Sequence, residues 1–257
     1  MVGIYFSGTG NTRYCVKRFT SLVDENAKCF SIEDNGVIDE LSKHDTIVFG
    51  YPVYHSNIPK IVKDFIASNK GSFRNKKVFI IVTRALFTHY AVGYGARRFK
   101  KCGAKVIGSL SFRMPENVRD TSVTKIITGK NRDSKLIKKA DSRISLEAHK
   151  FANGIYTKRG LSLFNFIIGM FASLIHPTTN KYIKAPKVNI EKCIGCKKCA
   201  DICPTHNIKI VDNKAVSSDK CTVCYRCCNC CPTKALTVMG NKMHSQYDFE
   251  IARKYVT

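Results

Sequence analysis

Ten of the chain's 13 cysteines fall within residues 193–231, in two runs that repeat with a period of 28 residues. Val188, Glu191, Lys192, Cys193, Cys196, Cys199, Cys203, Pro204, Thr205, Ile208 and Ile210 recur as Val216, Asp219, Lys220, Cys221, Cys224, Cys227, Cys231, Pro232, Thr233, Leu236 and Val238. Each run reads C-x2-C-x2-C-x3-C-P. An odd, clustered cysteine count behind a start without a signal peptide argues for metal ligation over a disulfide framework. Duplication of one ligand-bearing unit is the simplest account, and in so small a unit metal binding and folding are coupled.

The two runs resemble those of bacterial two-cluster ferredoxins, whose cubane 4Fe–4S clusters use this spacing. The resemblance implies that three cysteines of each run wrap one cluster while the fourth, stopped by proline, reaches the other. On that pattern one cluster takes Cys193, Cys196, Cys199 and Cys231, and the second takes Cys221, Cys224, Cys227 and Cys203. The competing reading is a pair of tetrahedral zinc sites. Those usually pair two CxxC knuckles across a longer spacer and have no use for a third cysteine and a crossed fourth. Cys228 and Cys230 exceed the eight ligands and read as small packing residues. Ile190, Ile194, Ile202, Ile208 and Val223 are expected to form an apolar shell, which together with hydrogen bonds to sulfur sets the potential.

Residues 1–112 have a different texture. Val2–Phe6, Lys28–Ile32, Thr46–Tyr51, Lys77–Thr83 and Val106–Phe112 are short apolar runs, and Asn11–Val23, Pro59–Ser68 and Tyr90–Lys101 between them carry helical spacing. Five strands alternating with helices predict a parallel α/β sheet covered on both faces. Ser134–Tyr156 reads as a closing helix.

After the first strand, Ser7-Gly8-Thr9-Gly10-Asn11-Thr12 opens the first helix, where an α/β sheet binds phosphate. A dinucleotide fingerprint needs a third glycine where Arg13 stands, and no G-K-[ST] follows, so a Walker loop is excluded. The pattern S-x-T-G-N-T resembles the phosphate loop of flavodoxins, which bind FMN. The resemblance implies a doubly wound sheet of order 2-1-3-4-5, with the flavin ring beyond the carboxyl ends of the third and fourth strands. Those ends supply Pro52, Val53, Tyr54 and His55, then Thr83 and Arg84. The first resembles the G-x-P-x-Y loop of flavodoxin-like domains fused to ferredoxins, with Tyr54 stacking on the ring. Met114-Pro115-Glu116-Asn117 resembles a further loop near the flavin in such fusions. The chain has no tryptophan for the ring, and Arg84 is expected to favour an anionic reduced flavin.

The expected layout is a flavodoxin-like FMN domain over 1–156, an apolar helical linker over 157–184, a two-cluster ferredoxin domain of α+β type over 185–240, and a C-terminal tail over 241–257. In the linker, Leu161–His176 is apolar almost all round yet too short to span a bilayer comfortably, which leaves domain packing, a docking face or an interfacial helix open. No leader is evident at the start, so a cytoplasmic protein is expected, with no transmembrane segment and peripheral membrane contact left open.

Lys and Arg number 43 against 19 Asp and Glu, a net charge of +24 spread over both parts. Neither a helix-turn-helix pattern nor an aromatic RNA-binding motif accompanies it, so nucleic acid is not expected and acidic redox partner proteins are. The function these resemblances imply is electron transfer that couples FMN to two 4Fe–4S clusters. The alternative is a ferredoxin-fed flavin reductase acting on an organic small molecule; no acid–base pair is distinctive enough to name its reaction. The two cofactor sites are expected to be independent, so that loss of a cluster ligand leaves the flavin bound.

Overall fold

A computed structural model describes residues 1–54, 57–85, 91–162 and 186–254. Strands β1 (Val2–Tyr5), β2 (Cys29–Ser31), β3 (Thr46–Pro52), β4 (Lys77–Arg84) and β5 (Lys105–Arg113) form one sheet in the order β2-β1-β3-β4-β5. Every pairing is parallel. The flavodoxin-like doubly wound fold expected from the sequence is therefore the one observed.

Period-two alternation feeds two cores. Ile47, Phe49 and Tyr51 of β3 face one side with Ile80 and Val82 of β4, under α3 (Lys60–Ser68) and α4 (Ala91–Lys101). Val48, Phe79 and Ile81 face the other side, under α1 (Asn11–Val23) and α6 (Lys130–Ala152). Both faces are apolar, as a parallel sheet with helices on each side requires. Along α6, Ile137, Ala140, Ile144, Ala148 and Phe151 recur at helical spacing and are all buried. The short helices α2 (Val37–Ser42) and α5 (Ser122–Ile127) carry too little periodicity for the sequence to announce them.

The second domain combines short helices over Lys198–Asp201 and Arg226–Cys230 with a β6–β9 ladder (Lys187–Val188 with Leu236–Thr237) and a β7–β8 hairpin (Ile208–Val211 with Lys214–Ser217), both antiparallel. Asp212 and Asn213 at the hairpin tip both have positive φ, the signature of a two-residue type I′ turn. The 28-residue repeat extends to the backbone: Gly195 and Val223, Lys197 and Tyr225, and His206 and Lys234 adopt positive φ in matched pairs.

The C-terminal segment packs back on the first domain. Tyr247 and Phe249 are buried in the α1–α6 core, with the Phe249 ring 4.8 Å from Tyr14. The Leu161–His176 segment lies outside the described residues beyond Ser162.

Candidate functional site

A cavity of about 470 Å³ opens at the carboxyl ends of the strands. Of the twelve residues expected at the flavin, ten line it: Ser7, Gly8, Thr9, Asn11, Thr12, Pro52, Val53, Tyr54, Thr83 and Arg84. Gly10 faces a neighbouring polar cleft, and His55 lies outside the described residues. The α1 N-terminus has no side-chain cap, and Gly10 there has φ of 101°, a conformation that favours glycine. Ser7 Oγ accepts the Gly10 N–H at 3.2 Å and closes the turn.

Two expected phosphate contacts are engaged within the protein. Thr12 Oγ1 pairs with Thr83 Oγ1 at 2.7 Å, both residues being buried. The Asn11 amide donates to the Pro115 carbonyl at 2.9 Å and accepts from the Tyr247 hydroxyl at 2.6 Å, so it braces the loop. Backbone N–H groups of a strand-to-helix loop and a helix N-terminus are the elements that commonly bind an anion.

The cavity wall is electropositive beside β4. Arg84 lies opposite Arg113 in the strand register, and burial, then Arg159, Arg113 and Arg143, lower its pKa. Burial raises the Glu116 carboxyl, although the Asn117 and Val118 N–H groups donate to its Oε1 at 2.9 and 3.1 Å. The Tyr54 phenol is likewise raised, by burial first and then by Cys224. Among the wall residues that sequence reasoning missed are Val223, Tyr225 and Met239, which the second domain contributes. The signal was Val223 itself, which stands where the first repeat has Gly195.

The cysteines surround two further hollows. Cys193, Cys196, Cys199 and Cys231 line one, and Cys203, Cys221, Cys224 and Cys227 line the other. The fourth cysteine of each run thus crosses to the partner hollow. Among the described residues no three His, Cys, Asp or Glu side chains close around a point that would hold a single metal ion. The ligand set fits a thiolate-held cubane.

Backbone N–H groups aim at four of the sulfurs, and one pair of donors follows the repeat. Asn207 N donates to Cys203 Sγ at 3.2 Å and Ala235 N to Cys231 Sγ at 3.3 Å. Ala215 N and Val223 N serve Cys193 and Cys221, each at 3.3 Å. Such donors stabilise thiolate charge and raise a cluster's potential. Burial pushes the Cys199 and Cys221 thiols up to about 11.

Cys228 is fully buried, with Sγ 3.9 Å from Cys227 Sγ, while half-buried Cys230 faces the polar cleft. Of the expected apolar shell, Ile208 and Val223 are buried, Ile194 lines the first hollow although much of it is exposed, and Ile190 is exposed. Ile190 and Ile194 stand on the surface with Lys192, Lys197 and Lys198 around Cys196, which is also exposed.

Comparison with known families matches a flavodoxin domain at residues 3–101 and a 4Fe–4S binding domain at residues 186–209. The chain is a flavodoxin domain fused to a 4Fe–4S ferredoxin domain. Solved structures similar to it include the two-electron reduced flavodoxin of Megasphaera elsdenii, 23% identical over 56% of this chain and 99% of that one, with a TM-score of 0.41. Flavodoxin 2 of Bacillus cereus is 18% identical over 60% of this chain and 97% of that one, with a TM-score of 0.44. The rubredoxin oxygen:oxidoreductase of Desulfovibrio gigas is 12% identical over 60% of this chain and 35% of that one, also at 0.44. No curated protein matches the fusion significantly. The two domains imply FMN and iron–sulfur, and make this fusion an electron-transfer flavin and iron–sulfur protein. Among the described residues no helix is long and apolar enough to cross a membrane.

Proposed function

We propose that the fusion carries one FMN and two 4Fe–4S clusters and passes low-potential electrons between redox partner proteins in the cytoplasm. The observation that carries this reading is the pair of four-cysteine hollows with the fourth ligand crossed between runs, the second of them against the flavin cavity. One cluster would be held by Cys193, Cys196, Cys199 and Cys231, and the other by Cys203, Cys221, Cys224 and Cys227. FMN would set its phosphate on Ser7–Thr12 and its ring between Tyr54 and Arg84.

The flavin exchanges one or two electrons and each cubane exchanges one, so the fusion links two-electron to one-electron chemistry. The exposed Lys192, Lys197 and Lys198 around Cys196 suit an acidic docking face. Anaerobic reconstitution followed by assay tests the stoichiometry: roughly eight irons and one FMN per chain support it, and roughly four irons contradict it.

A further inference from the structure

The second domain does more than sit beside the flavin cavity, because one of its side chains holds the phosphate loop. Arg226 lies two residues after Cys224 and directly before Cys227. Its Nη2 donates to the Ser7 carbonyl at 2.9 Å and its Nε to the Gly8 carbonyl at 3.2 Å. Its Nη1 donates to the carbonyl of Ile202, the neighbour of Cys203, at 3.0 Å. Glu33, beyond β2, grips both terminal nitrogens at 2.9 and 2.8 Å and fixes the guanidinium plane.

A trans peptide points its C=O and the following N–H in opposite directions. Holding the Ser7 and Gly8 carbonyls on Arg226 therefore turns the Gly8 and Thr9 N–H groups away from it, in the sense an anion on the loop requires. The approach is close: a β-carbon on Gly8 would lie 2.5 Å from the Cys224 carbonyl oxygen. The opposite cavity wall is tied to the same segment, since Asn117 donates to the Cys224 carbonyl at 3.1 Å and Asn229 to the Asn117 carbonyl at 2.9 Å. The loop's tie toward the first hollow is less direct: the Tyr247 hydroxyl donates to Asn11, and the neighbouring Gln246 donates to the Cys231 carbonyl at 2.7 Å.

We infer that Arg226 is a positioning residue through which the Cys203/Cys221/Cys224/Cys227 site organises the FMN phosphate loop, so that the flavin and this one cluster bind cooperatively. The inference rests on the cofactor assignment proposed above and replaces the expectation that the two sites are independent. Coupling of this kind is reciprocal: whatever the cluster adds to FMN affinity, FMN returns to the cluster.

The test is Arg226→Gln in the full-length reconstituted protein, with FMN and riboflavin affinities read by flavin fluorescence and iron content alongside. The expected result is FMN affinity reduced about tenfold, as loss of charge-assisted hydrogen bonds implies, riboflavin affinity unchanged, and partial recovery in Arg226→Lys. Cys224→Ala should weaken FMN together with losing a cluster, and Cys196→Ala should lose a cluster with FMN retained. Unchanged FMN affinity in Arg226→Gln, or equal loss for FMN and riboflavin, overturns the inference while leaving the cofactor assignment standing. Wild-type protein that takes up no FMN overturns both.

Discussion

Tyr225, one residue past a cluster-site cysteine, donates its hydroxyl to the Asp120 carboxylate at 3.0 Å, across the boundary between the two domains. The same carboxylate accepts the Val238 and Met239 N–H groups at 2.8 and 3.0 Å, so one buried acid collects three donors from the ferredoxin domain. Asp120→Ala strands those donors and should cost about 3 kcal/mol or more. Chemical denaturation should show the midpoint falling and the two domains separating into distinct transitions; an unmoved single transition would contradict this role.

Thr9→Ala should weaken FMN binding about tenfold while leaving both clusters in place. Fluorescence titration with FMN checks it. Thr12→Ala acts differently, since its hydroxyl already pairs with Thr83 and its loss also strands that partner. Full FMN retention in both variants would put the phosphate elsewhere.

Val223 is β-branched yet sits at φ of 59°, where its repeat partner is glycine. That conformation costs a non-glycine residue roughly 1–2 kcal/mol. Its side chain nevertheless lines the flavin cavity. Val223→Gly should raise the denaturation midpoint of the ferredoxin domain and speed FMN dissociation, measured by stopped-flow fluorescence. Faster dissociation with no gain in stability would mean that the backbone carries no strain there.

Arg84→Ala should lower the two-electron flavin potential, because positive charge at the ring favours the anionic reduced form. Each roughly 1.4 kcal/mol of lost stabilisation lowers it by about 30 mV. Spectroelectrochemistry reads this directly, and an unchanged or raised potential would remove Arg84 from the flavin's surroundings.

The lysines around Cys196 lead to a salt dependence. Electron exchange with an acidic partner should slow steeply as salt rises to about 0.5 M, where exposed charges are screened within a few ångströms. A rate unaltered by salt would remove charge steering from the account.

How much of this was legible in the sequence follows from how local each signal is. The five-strand α/β frame comes from alternating apolar runs, whereas the strand order and the crossed cysteines are what the resemblance to flavodoxins and two-cluster ferredoxins, carried by the glycine loop and the 28-residue repeat, implied. What stayed hidden is long-range. Nothing in Arg226, Asp120 or Tyr247 marks them as cross-domain contacts, because their partners Ser7, Tyr225 and Asn11 lie more than a hundred residues away. Residues 241–257 lie outside the ferredoxin resemblance, so nothing in the sequence announced that Tyr247 and Phe249 are buried. Ile190 read as shell and is exposed, since hydrophobicity alone does not tell a packed face from an outward one.

The central claim is that one flavin and two clusters share a single electron-passing molecule, and an anaerobic reductive titration of the reconstituted protein tests it most directly. Visible and EPR spectra separate flavin from clusters while electrons are counted. Two one-electron clusters and one two-electron flavin should consume about four equivalents, with electrons moving between centres. Uptake of about two with no flavin signal would contradict the account and leave a ferredoxin joined to a flavodoxin fold that binds no flavin.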